Sequence, residues 1–204
     1  MQYLDKFPVR RGEILERGGA VHACISQYAK HCWDQKLETD FDYVVIVVKN
    51  VLDKWRISFE VYDEALEIVK EFASSHIFIP SRIIAVEKWQ EMEVGPYLYR
   101  GIVDFAEYET STNTLIVTDY KTSFVIAKQA EVEKDLSLGG YALLLRHNLA
   151  PKAQHIVKRL DFVRYSHVVE AECAVEDLKE TVDTRLVLRL VCSSVEVSIR
   201  RESR

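Results

Sequence analysis

Near residue 80 the apolar residues of this chain change period, and that change limits the folds open to it. Over 16–33, Val21, Cys24, Ile25, Tyr28, Ala29 and Cys32 recur at helical spacing. Over 43–55 the run Val44-Val45-Ile46-Val47-Val48 would by propensity alone favour a strand. Val44, Val47, Val48, Val51, Leu52 and Trp55 nevertheless hold the helical period for three turns, so the spacing predicts a helix. A third helix is predicted over 61–73, on Ala65, Leu66, Val69 and Phe72. Beyond residue 80 the runs 83–92, 97–108 and 114–122 read as strands. The polar cluster Thr110-Ser111-Thr112-Asn113 separates the last two, which predicts an antiparallel meander. A helix over 131–146 follows, carrying Leu138, Tyr141, Ala142 and Leu145. At least one strand lies within 156–169, and a closing helix is expected over 176–192, on Leu178, Val182, Leu186 and Leu190. The expected fold class is α+β (α/β), a sheet flanked by helices.

The 204 residues fit one domain: a helical portion at about 16–75, a sheet core at about 83–170 and the closing helix. No linker, repeat or low-complexity tract interrupts it. No uncharged apolar run reaches membrane-spanning length. The opening Met1-Gln2-Tyr3-Leu4-Asp5-Lys6 lacks the apolar core of a signal peptide, so a cytoplasmic protein without membrane contact is expected. The net charge of −5 argues against a module that grips nucleic acid by bulk electrostatics. It does not argue against a site whose carboxylates are first occupied by cations. None of the four cysteines forms a CxxC pair. Cys24, Cys32 and Cys192 fall at packing positions of helical patterns.

The chemistry concentrates in two of the strands. Asp104 follows Gly101-Ile102-Val103, and Asp119 follows Leu115-Ile116-Val117-Thr118 and precedes Tyr120-Lys121-Thr122-Ser123. Residues i and i+2 of a strand share a face, so Asp119 and Lys121 project together and Tyr120 points away. A hairpin between the strands brings Asp104 alongside. Two carboxylates in contact repel unless a cation lies between them or one keeps a proton. Mg²⁺ takes one or two carboxylates together with water and phosphate oxygens. A lysine beside it can orient the attacking water and offset charge building on phosphorus. Asp-x-Lys is ordinarily a surface ion pair, but here both aspartates sit within apolar runs.

Gly-Ile-Val-Asp104 followed by Leu-Ile-Val-Thr-Asp119-Tyr-Lys121-Thr-Ser resembles the signature of the PD-(D/E)XK nuclease superfamily. Within it the pattern looks like that of the RecB-like nucleases, a family that includes AddB-like exonuclease domains and CRISPR-adaptation relatives. The resemblance implies a restriction-endonuclease-like central mixed sheet with an N-terminal helical portion. It further implies that Gly18-Gly19-Ala20-Val21-His22 supplies a metal-ligating histidine, and that Glu87 is an acidic site residue on the preceding strand. Tyr141 would be the tyrosine of the helix after the active site. Asp104, Asp119, the Tyr120 carbonyl and His22 would then hold Mg²⁺ or Mn²⁺, with Lys121 positioning water. The implied substrate is DNA, as single strands or ends, cut exonucleolytically in repair, recombination, phage or CRISPR settings, with a helicase or recombination partner. Two departures stand out. Ser137 occupies the position of the family's usual glutamine, and the cysteines lack the spacing of an iron–sulfur cluster, so no cluster is expected. The family usually has a further segment before Tyr3, so a trimmed or compact member is expected.

Each residue also has a plainer reading: a helical histidine, a solvated strand glutamate, a core tyrosine. His31, His76, His147, His155 and His167 show no ligand spacing and are expected to be structural or exposed. Trp89, Tyr97 and Tyr99 could stack on bases, with packing the commoner role. A non-catalytic DNA-binding or assembly module of the same fold is the alternative, and a hydrolase of small phosphoesters is a third.

Overall fold

The computed structural model describes residues 13–55, 59–94, 97–175, 178 and 196–199. Three helices come first: α1 (Glu13–Gln35), α2 (Phe41–Trp55) and α3 (Phe59–Ser75). The β-branched run of α2 is helical as its spacing requires. Val44, Val47, Val48, Val51 and Leu52 are buried, whereas Val45 and Ile46 stand about half exposed. A stripe that buries five residues outweighs the small strand preference of each.

Strands β1 (Ile83–Val94), β2 (Tyr97–Glu109) and β3 (Thr114–Lys121) follow and pair antiparallel in sequence order. A crossover through α4 (Gln129–Glu133) and α5 (Leu136–Asn148) leads to β4 (His155–Phe162), which lies parallel to β3. Parallel neighbours need such a crossover. β5 (His167–Cys173) pairs antiparallel with β4, and β6 (Glu196–Ile199) pairs with β2. The sheet order is β1-β2-β3-β4-β5, with β6 on β2. This mixed sheet with flanking helices is the restriction-endonuclease-like fold expected from the sequence.

Adjacent residues of the strands feed two different cores. Val86, Phe105 and Tyr120 join the cluster built by α1, α2 and α3. Ala85, Ala106, Leu115 and Val117 join the cluster built around α5. Side chains alternate across a strand, so the helices cover both faces. Cys24 and Cys32 pack without exposure in the first cluster, and burial pushes the Cys24 thiol up to about 12.

One expectation needs correction. The single helix foreseen over 131–146 is two helices, because the Asp135 carboxylate accepts the Leu138 backbone N–H at 2.9 Å and caps a new start. The region 156–169, where at least one strand was expected, holds most of β4 and the start of β5. The closing helix over 176–192 lies outside the described residues, apart from Leu178, which is buried. No described helix is long and apolar enough to cross a membrane.

Candidate active site

The site lies where β2 changes partner. Its ladder with β3 runs from Glu109↔Thr114 to Phe105↔Thr118, and its ladder with β6 covers Tyr97 to Arg100. Residues 101–104 lie between the two ladders. Asp104 and Asp119 stand at the rung after Phe105↔Thr118, where the strands have parted. There the Asp104 carboxylate accepts the Tyr120 backbone N–H at 3.1 Å, in place of a strand carbonyl.

The opposite edge of β2 is distorted at the same level. Glu87 falls between the pairs Val86↔Phe105 and Lys88↔Val103, directly across from Asp104. Its φ of 44° is left-handed, a conformation that few residues with side chains adopt. Side-chain alternation also breaks in β2. Tyr99 and Val103 join the α5 core, whereas Phe105 joins the α1–α3 core. Irregularities of this kind re-aim strand side chains, here two facing carboxylates.

His22 comes from α1, with Nδ1 3.4 Å from Asp104 Oδ2 and its ring edge-on to Tyr120 at 6.4 Å. One ligating atom from each of His22, Glu87 and Asp104 lies within 4.8 Å of the other two. Asp119 stands outside that trio, with its Oδ2 2.6 Å from Lys121 Nζ. Tyr120 offers its amide to Asp104 and buries its ring completely, edge-on to Phe72. Tyr141, on α5, is nearly buried against Gly101. A Cβ added at Gly101 would come within 2.8 Å of the Tyr141 ring, so the strand can approach the helix only as glycine.

The electrostatics are those of half-buried carboxylates facing one another beside a single lysine. Burial, then the neighbouring Asp119, raises the Asp104 carboxyl to about 6, against the opposing pull of His22 and the Tyr120 amide. Burial alone would lower the Lys121 ammonium, but Asp119 reverses this and, with Asp135 and Asp104, holds it above its ordinary value. The Tyr141 hydroxyl is pushed up to about 12, by burial first and then by Asp119 and Asp104, so it stays protonated and able to donate. An imidazole and two carboxylates on one point form a donor set suited to a divalent cation.

Residue-type reasoning missed Ser26, whose hydroxyl donates to Glu87 at 3.0 Å. A signal was present: Ser26 lies four residues after His22 and so shares its helix face. Of the candidate stacking aromatics, Tyr99 is buried and belongs to the core. Trp89 is half exposed with the Arg100 guanidinium 5.9 Å from its ring centre, and the Tyr97 side chain lies outside the described residues.

No curated protein matches the chain. The family model of the PD-(D/E)XK nuclease superfamily matches residues 1–195, and the chain belongs to that superfamily.

Proposed function

We propose that the protein is a metal-dependent deoxyribonuclease that hydrolyses phosphodiester bonds of DNA exonucleolytically, from single strands or ends. The observation that carries this reading is the convergence of His22, Glu87 and Asp104 within 4.8 Å, one strand away from the Asp119–Lys121 pair. His22, Asp104, Asp119 and the Tyr120 carbonyl are the proposed ligands, with Glu87 joining them from β1. When bound, a divalent cation supplies Lewis-acid polarisation of the phosphate and a more acidic water. Magnesium prefers oxygen donors alone, so the imidazole of His22 favours Mn²⁺ over Mg²⁺.

Lys121 stands 42% exposed beside Asp119, which keeps it charged and aimed. It holds the attacking water and offsets negative charge gathering on the phosphoryl oxygens. The protonated Tyr141 hydroxyl donates to a phosphate oxygen from the α5 side. Asp104 gives up the proton that burial favours when the cation arrives, so metal uptake strengthens as pH rises through about 6. One unit of 204 residues is the proposed nuclease domain, working in the cytoplasm with a helicase or recombination partner.

The test is cleavage of end-labelled single- and double-stranded DNA with Mn²⁺, Mg²⁺ or EDTA, by wild type and by Asp119→Ala and Lys121→Ala. Metal-dependent cutting that both substitutions lower by at least ~100-fold supports the reading. A well-folded wild type that cuts no DNA with either metal refutes it.

A further inference from the structure

Beside the acidic cluster, between α1, α3 and the segment after β3, lies a cavity of about 620 Å³. Its size falls within the ~300–1,000 Å³ of small-molecule pockets. The inner wall is apolar, formed by Val21, Ala65 and Ile68. Its floor is tight, since a Cβ at Gly18 would sit 3.1 Å from Thr122 Oγ1. Two groups of the metal and water site, His22 and Lys121, also line it. The cavity is therefore continuous with the place where a phosphate would be cut.

The rim carries a built aromatic ledge. The Arg164 guanidinium lies 4.3 Å from the centre of the Phe124 ring. It is fixed there by Glu64 at 2.7 Å and by the Thr122 carbonyl, to which its Nε donates at 3.4 Å. A guanidinium already neutralised by a carboxylate is poorly placed to bind phosphate, so its contribution is to brace the ring. Even so braced, Phe124 is 66% exposed. A braced aromatic ring at the mouth of a pocket offers a flat apolar face on which a ligand ring can stack.

We propose that this cavity is a nucleobase subsite: it takes one unpaired base of the strand whose phosphate lies at Asp119 and Lys121, stacked on Phe124 and packed against Val21, Ala65 and Ile68. This rests on the deoxyribonuclease reading for the identity of the strand. A flat apolar ring with polar edges fits a pocket lined by apolar Val21, Ala65 and Ile68 together with hydroxyl-bearing Thr122 and Ser123, and stacking tolerates any base. A base inside a duplex cannot enter without leaving its stack, so the subsite selects single strands and frayed ends.

The test compares affinity for an oligothymidylate with affinity for an equally long, wholly abasic oligonucleotide. Binding is read by fluorescence anisotropy with Ca²⁺ as the cation, for wild type, Phe124→Ala and Phe124→Leu. The wild type is expected to prefer the thymidylate, and both substitutions to shrink that preference by roughly 5- to 100-fold. The salt dependence, set by phosphate contacts, should stay unchanged. Equal preference in wild type and both folded variants overturns the proposal. Because binding is read without cutting, a protein that cuts no DNA but shows the Phe124-dependent preference refutes only the nuclease reading. One that cuts DNA without that preference refutes only the subsite.

Discussion

The Ser26 hydroxyl on α1 donates to the Glu87 carboxylate on β1 at 3.0 Å, a contact across 61 residues of sequence. It steadies a side chain that the left-handed backbone at Glu87 aims toward Asp104. A partner of this kind, one step behind a ligand, typically controls ~10- to 100-fold in metal affinity. Ser26→Ala should weaken Mn²⁺ binding by about that factor in a calorimetric titration, with a small loss of stability. Unchanged affinity would show that Glu87 needs no such support.

The backbone at Glu87 makes a second prediction separable from the first. Both Glu87→Gln and Glu87→Gly remove the carboxylate, and both should weaken metal binding. Only glycine is at ease at φ 44°. The Gly variant is therefore expected to be more stable than the Gln variant, by about 1 kcal/mol in urea denaturation. Equal stabilities would mean that the conformation carries no strain.

Half-buried His76 and buried Asp161, with Nδ1 and Oδ2 3.9 Å apart, titrate in opposite senses. Burial, aided by the Arg159 charge, lowers His76 to about 4. Burial raises Asp161 to about 6, with Arg159 opposing. The unfolded histidine takes up protons first, so its contribution to stability is lost as pH falls from about 6.5 to 4. The folded aspartate holds its proton longer, so its contribution is lost as pH rises from about 4 to 6. Within that window the two slopes offset each other. Relative to wild type, Asp161→Asn should gain stability between pH 4 and 7, by about 2–3 kcal/mol, and His76→Phe should gain a similar amount from pH 7 to 4. Thermal denaturation across pH checks both; parallel curves for all three proteins would contradict the assignment.

Gly140 on α5 has no room for a side chain, because a Cβ there would lie 1.6 Å from the Tyr99 hydroxyl oxygen. Gly140→Ala is expected to destabilise the protein by about 1–3 kcal/mol. The Tyr99 hydroxyl has no hydrogen-bond partner among the described residues. Tyr99→Phe should therefore cost little alone and recover part of the Gly140→Ala loss, measured as a double-mutant cycle. Strict additivity of the two substitutions would rule the contact out.

What was legible in the sequence was whatever depends on period or local spacing. The α2 stripe, the three strands to Lys121 and the shared face of Asp119 and Lys121 all follow from residue order. The helix break at Asp135 was hidden because Val132 and Leu138 are both buried, so the apolar pattern runs across it. Glu87 was found only through resemblance, since nothing local announces a left-handed strand residue. The Arg164–Phe124 ledge and the His76–Asp161 pair depend on segments far apart in the chain. Residue types alone gave no reason to join them.

The change of partner along β2 has a mechanical consequence. The stretch from Gly101 to Asp104 is held at both ends by ladders on one edge, and Gly101 to Val103 pair with β1 along the other, so it is stiff where a loop would be slack. Asp104 there inherits the stiffness of the sheet, while the cavity beside it is lined by α1, α3 and the segment after Lys121. The cavity wall at Ala65, Ile68 and Phe124, by contrast, belongs to α3 and to the segment after β3, so in the proposed reading those three positions can be changed without touching the β2 stretch that carries Asp104.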